Sequence, residues 1–245
     1  MKSKLLKIAA AVSAAALIAG GIYFLFHDDM AQKISYEKLK PFMPNVTVLD
    51  VAPTEQIKTK DKVELKEQVR ELSQCYDDSI GWIYIPDTNI NYPIMQAEDN
   101  EYYLHRSYDG SYLYSGSVFL DWRCKSDFSG DVNMLYGHNM QNGSMFADVV
   151  NFINKDYFDS HKYGWLTTED NVYRIEFFSV SQPQSYSGVY NVQRAGDKWL
   201  KKLKSFNVID REIKIEDDDC MISLSTCTNS EGSSRTVLTG KLIEV

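Results

Sequence analysis

The sequence predicts a mainly β protein: a closed barrel of eight short strands with accessory helices, preceded by an N-terminal transmembrane helix. Three observations carry this. Short β-type runs bounded by turn residues recur from residue 80 to 244, and few helical periods interrupt them. An apolar run without a charge occupies residues 8–26. The 245-residue chain is 44% hydrophobic and 24% charged, with 13 Gly and 6 Pro, which excludes wholesale disorder, a collagen-like repeat and a multi-span membrane protein. Its 16 Tyr and 11 Phe supply a large core. A net charge of −8 argues against a general nucleic-acid binder, which carries a basic face.

Lys2, Lys4 and Lys7 precede nineteen uncharged residues, 8–26. At a helical rise these span roughly 29 Å, one bilayer core. Tyr23 and Phe24 sit where interfacial aromatics belong, and His27, Asp28 and Asp29 follow. The lysines place the N-terminus in the cytoplasm and the remainder outside. A cleaved signal peptide is the alternative, since the Ala-rich stretch contains small-x-small sites. The run is longer than a signal core and ends in bulky IYFLF, which favours an uncleaved anchor. The three lysines are the only charges in residues 1–26, so residues 27–245 carry −11. Such an ectodomain is not held to anionic lipid by its charge, and the helix must anchor it.

Residues 27–60 read as an extracytoplasmic stalk. Pro41, Pro44 and Pro53 punctuate the segment, and no sustained apolar period runs through it. The main domain is placed at 61–245. It opens on an amphipathic helix with Leu65, Val69, Leu72 and Tyr76 on one face, Asp61 and Glu64 forming the capping pair. Strands are expected at 80–85, 89–95, 116–121, 132–137, 172–180, 211–215, 220–226 and 235–244. Helices are expected at 144–153 and at 195–206, where Trp199, Leu200 and Leu203 share a face. The acidic run 216–219 reads as a solvated turn.

Four cysteines are too few for a disulfide-built scaffold. Cys227 ends an apolar strand in SLSTC and precedes a polar loop, rigid enough to aim and exposed enough to react. His138 ends another strand in YGHN, with Gly137 expected to let the backbone turn. Arg235 opens the last strand eight residues after Cys227, so a hairpin brings the two to one end of the sheet. Together they fit one chemistry: a thiolate attacks a peptide carbonyl, an imidazole moves protons and a guanidinium holds charge. No CxxC, HxxxH or HExxH spacing, G-x-S-x-G elbow or P-loop occurs, so no metal or cofactor is expected.

These residues resemble the sortase family. SLSTC resembles its T-L-x-T-C signature, with Ser223 in place of the first Thr, YGHN resembles its histidine motif, and Arg235 matches its arginine. The likeness extends over residues 60–245. NYPIMQAEDNEYYLHRSYDG and GSVFLDWRC are similar to class B members. The resemblance implies an eight-stranded barrel and a transpeptidation. A secreted protein's C-terminal Pro- and Thr-containing sorting signal acylates Cys227 through its Thr carbonyl. His138 protonates the leaving amine, and an amine of a peptidoglycan precursor resolves the thioester. It further implies Asn100, Ser225, Thr226, Thr228, Val189 and Tyr190 as substrate-binding residues. The expected location is the membrane of a Gram-positive cell, single-pass, with the catalytic domain outside. An extracellular thiol protease, a pilin-polymerising relative and a non-catalytic wall-binding domain are the alternatives.

Overall fold

The computed structural model describes residues 13, 28–49, 57–194, 197–227 and 233–245. Of the apolar run 8–26 only Ser13 falls among them, and among the described residues no helix is long and apolar enough to cross a membrane. Two compact units divide the chain, Met1–Pro41 and Phe42–Val245. The described part of the first is helical over residues 28–39, within the segment expected as a stalk.

The second unit holds all the described strands. In chain order they are β1 (Ser79–Tyr84), β2 (Asn91–Met95), β3 (Val118–Leu120), β4 (Val132–Tyr136), β5 (Tyr163–Thr167), β6 (Val172–Ser181), β7 (Asn207–Asp210), β8 (Met221–Cys227) and β9 (Arg235–Glu244). Three helices accompany them: α1 (Thr59–Cys75), α2 (Lys155–Ser160) and α3 (Asp197–Lys204). The strand order is β5-β1-β2-β3-β4-β8-β9-β6, and β5 pairs again with β6. Eight strands therefore close on themselves, which leaves the barrel without a free edge. β7 stands outside the closure as a ninth strand beside β6. The neighbours β2–β3 and β4–β8 run parallel.

Inward-facing residues fill the barrel, among them Ile83, Ile94, Leu120, Leu135, Phe177, Ile222, Leu224 and Leu238. On the outer wall a second cluster joins Met134, Met221 and Val237 to Val189, Trp199 and Leu203. β4, β8 and β9 are thus buried on both faces, and that outer cover becomes one side of the site. A third cluster seats Leu65 of α1 against Leu49, Ile57, Trp165 and Val172. Part of the segment expected as a stalk therefore packs on the barrel wall, because Leu49 and Ile57 are apolar where α1 crosses it.

Other expectations shift for local reasons. α1 begins two residues before Asp61 and has no side-chain cap. Asp61 instead lies in its first turn, where a negative charge complements the helix dipole. β5 escaped the sequence pattern because it is short and buried on both sides. Trp165 faces α1 and Leu166 faces the core, so no alternation survives, and Gly164 interrupts it where an added Cβ would come within 3.0 Å of Phe177. The strand expected at 211–215 lies at 207–210. Just past its end the Arg211 N–H still donates to the Phe178 carbonyl at 2.7 Å, while its guanidinium donates to the carbonyls of Phe177 and Phe158. The 144–153 helix is a 3-10 turn, Ala147–Ile153, followed by α2, whose N-cap Asn154 accepts from two backbone N–H groups. Within 216–219, Asp219 pairs with Lys241 at 2.5 Å while Asp217 and Asp218 are exposed.

Candidate active site

β8 builds the site. Ile222 and Leu224 point into the barrel, so Met221, Ser223, Ser225 and Cys227 share the outward face by the period of two. On the adjoining strand Arg235 is the register partner of Cys227. On the other side β4 runs parallel, with Tyr136 opposite Ser225. His138 and Cys227 each lie two residues beyond that pair, and Gly137 N–H donates to the Ser225 carbonyl at 3.3 Å. The parallel register therefore carries an imidazole and a thiol to the same end of two neighbouring strands.

A cavity of about 390 Å³ opens there. Cys227, His138 and Arg235 line it together, as do Asn100, Ser225, Thr226 and Tyr190. Thr226 is 2% exposed, and its Oγ1 has no partner among the described residues. Thr228 lies outside the described residues. Val189 is not in the lining: its side chain is fully buried in the cluster with Trp199 and Leu203, so a substrate contact through it is corrected to a core role. The turn Gly188–Tyr190 presents Tyr190 instead, and Trp199 Nε1 anchors that turn by donating to the Val189 carbonyl at 2.8 Å.

His138 is held tightly. Its Nε2 lies 2.9 Å from the Leu104 carbonyl. A carbonyl only accepts, so Nε2 carries the hydrogen and Nδ1 is left to exchange protons. The ring stacks on His105 at 5.3 Å and lies nearly parallel to Tyr114 at 6.4 Å. Burial lowers the His138 pKa below the ordinary imidazole value, and the nearby His105 acts in the same direction, against the Leu104 bond. Gly137 does not turn the chain through a left-handed conformation. It is small because a Cβ there would stand 2.7 Å from the Phe146 ring.

The remaining walls are aromatic and polar. The Tyr190 hydroxyl and Ser225 Oγ are 2.9 Å apart. Burial pushes the Tyr190 phenol up to about 12, with the Ser225 bond and the Arg235 charge opposing it. Tyr136 stacks on Tyr190 at 6.2 Å and donates to Asp121 at 2.8 Å. Sequence reasoning did not single out Tyr136, Leu104, Arg123, Asn139 or Asp121. Tyr136 and Asn139 flank the histidine in YGHN, a signal present but unread. Asp121 and Arg123 stand in DWRC, a run whose resemblance to class B members assigns neither side chain a role.

The four cysteines are free thiols. Cys124 is half-buried beside the Val132 carbonyl, and burial pushes its pKa up to about 11. Burial also raises Cys220. His161 stacks on Tyr157 of α2 and does not line the cavity.

Residues 83–243 match the family model of the sortase domain. The chain is 33% identical to Sortase B of Listeria monocytogenes over 213 residues, covering 81% of this chain and 85% of that protein. A Streptococcus pyogenes class B sortase involved in pilus biogenesis superposes with a TM-score of 0.65 at 29% identity, over 71% of this chain and 97% of that one. The Staphylococcus aureus sortase B–substrate complex superposes with a TM-score of 0.75 at 24% identity, over 89% and 99%.

Proposed function

The chain belongs to the sortase family, and on that premise we propose that it is a membrane-anchored cysteine transpeptidase that cleaves a C-terminal sorting signal of secreted proteins after Thr and joins the product to a cell-wall peptide amine. The observation that carries the reading is the meeting of Cys227, His138 and Arg235 in one cavity, with Cys227 and Arg235 in direct register.

In this reading the Cys227 sulfur attacks the Thr carbonyl carbon and its proton passes to His138. The tetrahedral oxyanion forms beside Arg235, whose guanidinium stabilises it. The carbon–nitrogen bond then breaks, and the leaving amine takes the proton from His138. A thioester remains. The acceptor amine attacks it, His138 removes the amine proton, and collapse releases an amide and restores the thiol. The imidazole suits both turns, because its Nε2 is fixed to Leu104 and the same nitrogen, Nδ1, serves each transfer. The charge-free run 8–26 supports an anchor that leaves the barrel outside the membrane. The likeness to the S. pyogenes enzyme involved in pilus biogenesis favours a second reading, a sortase that polymerises pilins.

The test is incubation of the full chain with a library of Pro- and Thr-containing peptides and triglycine as acceptor, read by mass spectrometry, with Cys227→Ala as control. An acyl adduct on Cys227 and a triglycine-linked product support the transpeptidase. Cleavage without ligation, even at saturating triglycine and with lysine-bearing peptides, marks a thiol protease. No adduct from any peptide overturns the catalytic reading.

A further inference from the structure

Asp121 directly follows β3, and its side chain is fully buried. Five donors converge on its carboxylate. Oδ1 accepts from the Arg123 backbone N–H at 3.0 Å and from Arg123 Nε at 2.8 Å. Oδ2 accepts from Arg123 Nη2 at 2.6 Å, the Tyr136 hydroxyl at 2.8 Å and Asn100 Nδ2 at 3.0 Å. A carboxylate has about four lone-pair sites, so this one is saturated by protein groups. It does not line the cavity, and it acts through its partners.

Asn100, Arg123 and Tyr136 do line the cavity. They come from three places: the segment after β2, the turn after β3 and the end of β4. Arg123 reaches a fourth, since Nη2 also donates to the Tyr190 carbonyl at 2.9 Å. The Tyr190 hydroxyl in turn meets Ser225, two residues before the thiol. One buried carboxylate thus ties together the wall that faces β8. It also sets the chemistry of that wall. Asn100 gives its amide nitrogen to Asp121 and accepts the Trp122 backbone N–H at 3.0 Å on its amide oxygen. Beyond these bonds Asn100 has a second amide hydrogen, and Arg123 has Nη1. Both are donors.

We propose that Asp121 is the positioning residue of the signal-binding wall, and that the wall it sets offers hydrogen-bond donors to oxygen acceptors of the bound peptide. The proposal rests on the transpeptidase reading and adds to it a residue outside the Cys-His-Arg chemistry. Asp121→Asn keeps the shape but sets an amide NH₂ against groups that donate, so the wall loses its common acceptor.

The test compares the full wild-type chain with Asp121→Asn, Arg123→Gln and the double variant. It uses the library peptide that the wild type cleaves best, with triglycine as acceptor, and iodoacetamide as a probe of Cys227. For Asp121→Asn the expected result is a KM raised about tenfold or more, a kcat within about threefold and an unchanged alkylation rate. The double variant should be no worse than Asp121→Asn by more than about twofold, because both changes break one linkage. A loss confined to kcat, an unchanged KM, or additive losses in the double variant would overturn the proposal. Should Asp121→Asn not fold, as near-UV circular dichroism will show, Arg123→Lys and Tyr136→Phe take its place. Each removes one spoke and should raise KM about three- to tenfold with kcat preserved, and an unchanged KM in both overturns the proposal. A wild-type chain that forms no acyl adduct sinks the transpeptidase reading and this proposal with it. A wild type that turns over beside an unaffected Asp121→Asn sinks the proposal alone.

Discussion

Asn139 donates its side-chain amide to the Cys227 carbonyl at 2.9 Å. That bond ties the segment carrying His138 to the strand end carrying the thiol, across two elements far apart in sequence. A single neutral hydrogen bond contributes only about 1 kcal/mol to stability. Its effect on alignment is larger, since a displacement of about 1 Å between reacting groups can cost about a hundredfold in rate. Asn139→Ala should therefore lower kcat about ten- to a hundredfold while the melting temperature falls only a few degrees. Asn139→Asp should be worse, because it sets a carboxylate against a carbonyl. Steady-state kinetics beside thermal melts check this, and a kcat within twofold of wild type for Asn139→Ala counts against it.

The position of His138 sets a pH limit. Its folded-state pKa lies below the ordinary value of 6.5, chiefly through burial. The thiol and imidazole work with one proton between them, and a second proton on the pair stops attack. Activity should fall only as pH drops through the lowered His138 value, so the acid limb of kcat/KM is expected below 6.5. His105→Gln removes the neighbouring imidazole and should move that limb upward. A wild-type limb above 6.5, or a downward move in the variant, contradicts the assignment. The same sign holds for folding. A histidine with a depressed folded pKa stabilises the fold above its unfolded value, and that contribution is lost as pH falls through the unfolded pKa toward the folded one.

Gly137 is a packing requirement. A Cβ at that position would lie 2.7 Å and 2.8 Å from two atoms of the Phe146 ring, which is itself fully buried. Phe146 N–H also donates to the His138 carbonyl at 2.9 Å. Gly137→Ala should thus cost about 1–3 kcal/mol by overpacking and displace His138. Denaturant melts and kcat should fall together. Combining Gly137→Ala with Phe146→Leu should recover part of the kcat, and failure of any recovery would locate the defect elsewhere.

The thiols should separate by environment. Cys124, pushed up to about 11 by burial and bonded to the Val132 carbonyl, should resist iodoacetamide at neutral pH until the chain unfolds. Cys75 is exposed and Cys227 lines the cavity, so both should be modified in the native state. Peptide mapping after alkylation reads this directly. Native-state labelling of Cys124 at the rate of Cys75 would show that its burial is not maintained.

Much of the barrel is legible in the chain. Runs such as VYRIEFFSV and RTVLTGKLIE lie close to β6 and β9, because a strand's period of two is written locally. β5 was not legible, since a five-residue strand buried on both faces has neither period nor length to distinguish it. The meeting of Cys227 with Arg235 could be anticipated from a hairpin loop of seven residues, and their register pairing follows from it. The approach of His138 could not, because it depends on the parallel pairing of β4 with β8, whose partners, such as Tyr136 and Ser225, stand 89 positions apart in sequence.

The sequence by itself determined the strand-rich architecture, the amphipathic α1, the thiol at a strand end and the kind of chemistry that Cys, His and Arg can perform. Each of these is carried by composition or by a period read over a few neighbours. Tertiary structure decided which carbonyl holds His138, why Gly137 must be glycine, that Val189 is core, and that Asp121 gathers Asn100, Arg123 and Tyr136. Those are hydrogen bonds and contacts between residues distant in the chain. They follow from barrel closure, which brings such groups within about 3 Å and excludes the water that would otherwise satisfy them.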